Sequence, residues 1–193
     1  MPSKIRIIAG KYKGKLIPVL ALPNLRPTPN RVRETLFNWL MFDIRQAVCL
    51  DAFAGSGALG IEACSRGASK VILLEKDPMI FNKLNQTVAS FNDSSLHAIQ
   101  TDFSSFIATT KIKFDIIFLD PPFKDDALTT CLNILKSSPA LKQQGLVYLE
   151  SENKLPQLAD TFSIIKTAKA GKVFYGLGRL VDKAWQVVQS AKL

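Results

Sequence analysis

Short apolar runs alternate with amphipathic segments along most of the chain. Apolar runs typical of buried strands lie at residues 47–53, 71–75, 96–101, 114–119 and 145–150. Between them, helical spacing of apolar residues is found at 58–66, 78–91 and 125–137, with a shorter helix between 101 and 114. Repeated strand–helix units predict a parallel sheet covered by helices on both faces. The expected fold class is therefore α/β.

The C-terminal part of the chain has a different pattern. Two strands are expected at residues 162–169 and 172–180, joined by a turn at Ala170-Gly171. Because two strands joined by so short a turn form a hairpin, at least one of them must run antiparallel to the rest of the sheet. The last residues, 181–193, form an extension with the spacing of a short amphipathic helix.

The N-terminal residues predict a small β-hairpin. Basic and apolar residues alternate over 4–9, as in a half-buried strand, and a return strand is expected at 16–20. Gly10 and Gly14 punctuate the stretch between them, as turns require.

A leading helix is expected after this hairpin. Thr28 is the expected N-cap, and Pro29 takes the first helical position, where its missing N–H does no harm. The side chains at helical spacing that form the apolar stripe are Val32, Leu36, Trp39 and Leu40.

Length and composition limit the class of protein. The chain has 193 residues, of which 47% are hydrophobic, enough for one globular domain. No apolar run approaches the roughly 20 residues of a membrane span, and no secretory h-region opens the chain. The three cysteines, Cys49, Cys64 and Cys131, are widely spaced and suit reduced thiols. We therefore expect a cytoplasmic protein.

Charge is distributed unevenly. Residues 1–33 hold eight Lys and Arg and no acid, whereas the other 160 residues hold 17 basic and 16 acidic groups. A basic head on a nearly neutral body predicts an element that docks on a polyanion, although a head kept basic for solubility is an alternative. We expect residues 1–25 to form a basic hairpin that contacts the polyanion and 26–193 to form the main domain. That domain divides into a leading helix (26–42), an α/β core (43–180) and the extension (181–193).

A glycine loop follows the first strand of the sheet. Gly55 to Gly60 match G-x-G-x-x-G, and Glu75 follows Gly55 by 20 residues, as in dinucleotide sites. Asp51, however, opens the loop and would repel a pyrophosphate. With Asp102, three acids end three consecutive strands. This arrangement suits the amino group, ribose diol and adenine amine of S-adenosylmethionine. A loop that only serves strand–helix packing is the alternative.

A second motif, Asp120-Pro121-Pro122-Phe123, follows the apolar run at 114–119. An exocyclic amine on a base is a poor nucleophile because its lone pair is delocalised. The Asp120 carboxylate and the Pro121 carbonyl can hold both amine hydrogens, and two prolines fix the backbone that presents them. Phe123 offers a flat face on which an extracted base can stack. The alternative is a proline-stiffened loop with a core Phe.

Together, these motifs resemble those of the RsmD-type family, which methylates the N2 amine of a guanine in 16S ribosomal RNA. The resemblance rests on Arg26-Pro27-Thr28 with the segment 31–38, on the loop 51–62 and on 120–123. It implies a Rossmann-like class I methyltransferase dependent on S-adenosylmethionine. The implied sheet has seven mostly parallel strands with the C-terminal strand antiparallel, preceded by the small hairpin.

The resemblance also implies roles for individual residues. Glu75 would bind the ribose hydroxyls and Asp102 the adenine amine. Asp51 and the Gly55 and Gly57 backbone would line the methionine end. The remaining expected cofactor residues are Phe53, Ala54 and Phe103. The expected RNA-binding residues are Lys11, Lys13, Arg26 and Arg31. The expected catalytic residues are Asp120, Pro121, Pro122 and Phe123.

The expected function is therefore methylation of a guanine N2 in 16S ribosomal RNA, with S-adenosylmethionine as cofactor and no metal. The expected partner is that RNA, within the small ribosomal subunit or its assembly intermediate. The protein is expected to be a monomer that does not bind membranes. Two alternatives stay open: an N6-adenine methyltransferase and a non-catalytic RNA-binding module of the same fold. His97 is the only histidine, which argues against histidine acid–base chemistry.

Overall fold

Seven strands form one mixed sheet in the computed structural model, which describes residues 4–20, 28–122, 127–151, 155 and 162–181. The expectations for Arg26, Phe123 and the extension after Leu180 lie largely or wholly outside these residues. Within them, no helix is long and apolar enough to cross a membrane.

The sheet has the order β5-β4-β3-β6-β7-β9-β8. The strands β3 to β7 pair in parallel, and β9 runs antiparallel to both β7 and β8. This confirms the predicted seven-stranded sheet with an antiparallel C-terminal strand. Its strands are β3 (Val48–Asp51), β4 (Lys70–Glu75), β5 (Leu96–Gln100), β6 (Phe114–Leu119), β7 (Leu141–Ser151), β8 (Phe162–Ala170) and β9 (Val173–Leu180).

In the part of the chain that the structure describes, five helices connect and cover these strands. They are α1 (Asn30–Trp39), α2 (Ala58–Ser65), α3 (Pro78–Ala89), α4 (Phe103–Thr109) and α5 (Ala127–Lys136). The expected start of α1 is wrong by one residue: Pro29 occupies the cap, and no side chain caps the helix. The Thr28 hydroxyl instead lies near the Glu150 carboxylate at the end of β7. A contact with a strand far along the chain thus replaces the expected local cap.

Apolar side chains fill both faces of the sheet. One core layer holds the buried residues of α1, α2 and α3, and the other those of α4 and α5. The predicted N-terminal hairpin is present as β1 (Lys4–Arg6) and β2 (Leu16–Pro18), paired antiparallel. Its Ile5, Ile7 and Ile17 are buried in the first layer. The hairpin therefore shares its core with the rest of the chain, and the division after residue 25 stays a prediction.

A buried ion pair fixes the hairpin to α1 and α2. Arg33 Nη1 lies 3.3 Å from Glu62 Oε2, and both side chains are fully buried. Glu62 also accepts the main-chain N–H groups of Ile8 and Ala9, at 2.9 and 3.1 Å. Arg33 Nη2 donates to the Arg6 carbonyl at 2.9 Å. Arg33, counted with the basic head, is thus an internal cation and not part of its surface.

Candidate active site

Acids collect at the carboxyl edge of the sheet. Asp51 ends β3, Glu75 ends β4, and Asp102 and Asp120 follow β5 and β6. Because these strands are parallel, all four residues lie at one edge, in the order Asp102, Glu75, Asp51, Asp120. The chain direction across the sheet reverses between β3 and β6, and such switch points are where open α/β sheets bind ligands. The structure thus brings together the acids predicted from the sequence.

The loop after β3 is held in shape by main-chain hydrogen bonds. Ala54 N donates to the Leu74 carbonyl at 2.9 Å, and Gly57 N to the Ala54 carbonyl at 2.6 Å. Gly57 has φ +79°, a conformation that L side chains adopt only with strain. A Cβ on Gly60 would lie 2.8 Å from a Leu73 methyl group. These glycines are therefore required by the path of the loop and by its packing on β4.

Asp51 points into the protein. It is 3% exposed, and its Oδ2 accepts the Gly60 N–H at 2.8 Å. Burial raises its pKa to about 7, against the lowering effect of that hydrogen bond. Asp51 therefore anchors the start of α2 as well as lying beside the loop that was assigned to the cofactor.

Glu75 presents a half-buried carboxylate to the edge. Its Oε2 accepts the Gly55 N–H at 3.1 Å, and its Oε1 the Asp77 N–H at 2.9 Å. Each oxygen keeps a lone pair for a further donor. The two main-chain bonds fix the carboxylate in place, as a group that binds a diol requires.

Asp102 caps α4. Its oxygens accept from Ser105 N at 3.0 Å, from Ser105 Oγ at 2.7 Å and from Ser104 Oγ at 2.5 Å. The hydrogen bonds from Ser104, which have the largest effect, and from Ser105 hold the pKa of Asp102 well below its usual range. Since a carboxylate has about four acceptor positions, Asp102 has little capacity left for an adenine amine.

Two aromatic rings line the edge between Asp51 and Asp102. Phe53 and Phe103 lie with ring centroids 5.9 Å apart and planes at 35°. Phe103 is buried in the second core layer, whereas Phe53 is half-buried. Of the two, Phe53 is the ring with surface available to a ligand.

The turn after β6 carries the second motif. Asp120 is half-buried, Pro121 buried and Pro122 exposed. Burial raises the Asp120 pKa well above its usual range, and the charges of Glu150 and Asp51 raise it further. Because β3 lies between β4 and β6 in the sheet, this turn and Glu75 lie on either side of the end of β3.

One acid at this edge was missed by the sequence reasoning. Glu150 lies near the end of β7 and is 5% exposed. It accepts a hydrogen bond from Tyr148 Oη at 2.7 Å. The signal was available, since Glu150 directly follows the apolar run 146–149, just as Asp51 and Glu75 follow theirs.

The expected RNA-binding residues are spread over the molecule. Lys11 Nζ lies 2.6 Å from Asp93 Oδ2, while Lys13 and Arg31 are exposed. Lys11 N donates to the carbonyl of Ser65, the last residue of α2, at 2.8 Å. Because α2 starts at the carboxyl edge, its end and the hairpin tip lie at the opposite edge. The structure thus separates Lys11 and Lys13 from Asp120.

Comparisons with known proteins agree with this geometry. A family model described as "Conserved hypothetical protein 95" matches residues 5–179. The chain is 42% identical over 177 residues to Ribosomal RNA small subunit methyltransferase D of Escherichia coli strain K12, covering 91% of this chain and 89% of that one. The Haemophilus influenzae protein of the same name is 41% identical over 180 residues, covering 91% and 93%.

A solved structure supports the same assignment. The Escherichia coli protein yhhF matches with a TM-score of 0.84 and 39% identity, covering 92% of this chain and 98% of that one. Identity of this level over nearly the whole length of both chains shows the family. The chain therefore belongs to the ribosomal RNA small subunit methyltransferase D family.

Proposed function

We propose that this methyltransferase transfers the methyl group of S-adenosylmethionine to the exocyclic N2 amine of a guanine in 16S ribosomal RNA. The observation that carries the proposal is the position of the Asp120-Pro121-Pro122 turn. It follows β6, which is the direct neighbour of β3 and its glycine loop, at the edge where Glu75 also lies. An acceptor for an amine and a candidate cofactor loop are thus adjacent.

The residues at the edge fit the proposed cofactor. S-adenosylmethionine supplies an activated methyl group when bound. The two Glu75 oxygens retain lone pairs for the two ribose hydroxyls, and Phe53 offers a flat apolar surface for a purine. The main chain of Ala54 to Gly57 would face the methionine end. Asp102, whose oxygens are largely occupied, would contribute at most one acceptor to the adenine amine.

Asp120 is assigned to the target amine. Its carboxylate and the Pro121 carbonyl would accept the amine hydrogens and direct the nitrogen lone pair away from the base ring. Guanine presents N1–H and N2–H side by side, and a carboxylate accepts both, whereas adenine places an acceptor beside its amine. An aspartate at this position therefore favours guanine over adenine.

The RNA substrate is supported by the relatives and by the charge of the head. Two relatives above 40% identity are named as methyltransferases of the small-subunit ribosomal RNA. We propose that residues 1–25 contact this RNA and that 26–193 form the methyltransferase domain, acting as a monomer on the small subunit or its assembly intermediate. Lys13 and Arg31, both exposed, are the described candidates for phosphate contacts.

Single-turnover methylation tests the proposal. Small ribosomal subunits lacking the modification are incubated with the protein and labelled S-adenosylmethionine, and the RNA is digested to nucleosides. We expect label in N2-methylguanosine. Asp120→Ala should lower the rate by on the order of 10² or more while calorimetric titration shows unchanged cofactor affinity.

Other outcomes contradict specific parts of the proposal. Label in N6-methyladenosine overturns the guanine assignment. Wild-type rates for Asp120→Ala overturn the role of the turn. If NAD raises the melting temperature of the wild-type protein and S-adenosylmethionine does not, the cofactor assignment is wrong.

A further inference from the structure

Glu150 is a buried acid that the proposed function leaves without a role. It is 5% exposed, and Tyr148 Oη donates a hydrogen bond to it at 2.7 Å, while the Thr28 hydroxyl lies nearby. Thr28 directly precedes the cap of α1, whereas Tyr148 lies on the same strand as Glu150. The carboxylate is therefore buried and held by the Tyr148 hydroxyl group.

The register of the sheet places Glu150 beside Asp120. β6 and β7 pair in parallel with Leu119 opposite Leu149, so the next residue on each strand is an acid. Phe118 and Tyr148 both face the first core layer, with ring centroids 6.3 Å apart. Because side chains alternate along a strand, Asp120 and Glu150 lie on that same face, two residues further on.

Among the described residues, the charged groups around this pair are acids. Asp51, on the same face at the end of β3, raises the pKa of Asp120, as does Glu150 itself. Glu75 in turn acts on Asp51. Tyr148 and, from β9, Tyr175 opposite Glu150 are the further titratable groups that the described residues place against Glu150. Burial raises the pKa of Glu150, against the lowering effect of the Tyr148 and Thr28 hydroxyl groups. Neighbouring buried acids make each other harder to ionise.

We propose that Glu150 is a positioning residue whose carboxylate, held beside Asp120 by the register of the sheet, keeps Asp120 a strong proton acceptor for the target amine. This rests on the proposed function. When the N2 lone pair bonds to the methyl carbon, the bond from that carbon to sulfur breaks with its electron pair left on sulfur. N2 then has one proton in excess. Asp120 accepts this proton as the N–H bond breaks, and it passes the proton to water.

The consequence is a defined pH dependence. The rate should fall on the acidic side as Asp120 becomes protonated, and the neighbouring Glu150 charge moves this fall to higher pH. Glu150→Gln keeps the size of the side chain and an acceptor for the Tyr148 hydroxyl group but removes the charge. We expect its acidic limb to lie about one pH unit lower than that of the wild type.

A matched control separates this effect from a general change of charge. Asp115 lies on β6 as well, near the opposite edge, and is paired with Lys142 at 2.8 Å. Asp115→Asn removes the same charge by the same chemistry, and its acidic limb should coincide with that of the wild type. Calorimetric titration should give both variants the cofactor affinity of the wild type. A limb for Glu150→Gln that coincides with the wild type overturns the proposal.

A second measurement does not depend on turnover. With aspartate carboxyl groups labelled with ¹³C, NMR titration of the protein alone follows the ionisation of Asp120, assigned by comparison with Asp120→Asn. The midpoint for Asp120 should fall in Glu150→Gln and, by less, in Tyr148→Phe, which keeps the carboxylate but removes one hydrogen bond. An unmoved midpoint in both variants contradicts the proposal. An inactive wild-type protein whose midpoint still moves contradicts the proposed function and leaves the coupling of the two acids standing.

Discussion

Five acids at one edge of the sheet differ in what already occupies their oxygens. Asp51 and Glu150 are buried and hydrogen-bonded within the protein, and Asp102 already accepts three hydrogen bonds from the first turn of α4. Glu75 keeps lone pairs toward the edge, and Asp120 is half-buried among like charges. A carboxylate thus anchors a helix in one place and caps a helix in another, while those of Glu75 and Asp120 are the ones that the proposed function assigns to the cofactor and to the target amine.

Replacing Glu75 by alanine should weaken binding of S-adenosylmethionine by about 1.5–3 kcal/mol, because two charge-assisted hydrogen bonds to the ribose are lost. Calorimetric titration measures the dissociation constant directly. Glu75→Gln is the companion variant. It keeps one acceptor oxygen but loses the charge, so its affinity for S-adenosylmethionine should lie between those of the wild type and Glu75→Ala. A dissociation constant for Glu75→Ala equal to that of the wild type contradicts the ribose role.

Asp51 should make the stability of the protein depend on pH. Its pKa rises from the ordinary 3.8 to about 7 on folding, so the unfolded chain loses this proton at lower pH than the folded protein does. The contribution of Asp51 to the free energy of unfolding is therefore complete below about pH 4 and is lost as the pH rises toward 7.

Asp51→Asn removes this dependence and keeps an acceptor for the Gly60 N–H. Urea unfolding of both proteins should show the wild type losing stability relative to the variant, by on the order of 3 kcal/mol between about pH 4.5 and 7. A difference that is constant over this range would show that Asp51 is already ionised in the folded protein.

At the scale of the elements, the order of strands and helices follows from local periodicity, and the predicted bounds of β3 to β6 agree with the structure to within two residues. The sequence predicts the start of β7 at residue 145, but the strand begins at Leu141. Its early residues 142–144 are exposed and polar, and they lie next to a register shift in the pairing with β6. Such an irregularity leaves no periodic signal.

The parts of the site that escaped prediction depend on contacts between distant residues. The edge acids Asp51, Glu75 and Asp120 could be predicted because each ends a strand, and parallel strands end at one edge. Arg33 could not be separated from the surface cations, since its partner Glu62 lies 29 positions away. Thr28 has the residue type of a cap, and only the folded chain shows that its hydroxyl lies near Glu150.

The ion pair of Arg33 and Glu62 should stabilise the packing of the hairpin on α1 and α2. Glu62→Leu leaves a buried guanidinium and the Ile8 and Ala9 N–H groups without their acceptor. We expect a loss of about 3–5 kcal/mol in the free energy of unfolding, measured in urea. Arg66→Met is the control, because Arg66 binds the same carboxylate from a partly exposed position and should cost about 1 kcal/mol or less. Equal losses for the two variants would contradict a special role for the buried pair.

For the molecule as a whole, the hairpin is continuous with the core rather than an appended arm. Ile5, Ile7 and Ile17 are at most 8% exposed and pack with side chains of α1, α2 and the sheet. Its turn, with Lys11 bound to Asp93 and Lys15 over the Phe91 ring at 3.8 Å, is attached near the ends of α2 and α3. The hairpin turn is therefore held at a fixed distance from the edge that carries the acids.

That fixed distance determines how far apart two contacts of one RNA on this protein must be. The tip with Lys13 and the turn with Asp120 lie at opposite edges of the sheet, and the 12 residues of α3, which connect the two edges, span about 18 Å. Under the proposed function, an RNA that contacts both sites must reach from one edge of the domain to the other, so its three-dimensional shape contributes to recognition along with its sequence.

Lys13→Glu should weaken binding of small subunits and lower the slope of the logarithm of the binding constant against the logarithm of the salt concentration by roughly 0.7–0.9. It should leave the binding of a short stem-loop with the target guanine unchanged. Equal losses for both RNAs, measured over a series of salt concentrations, would mean that the stem-loop alone reaches the tip.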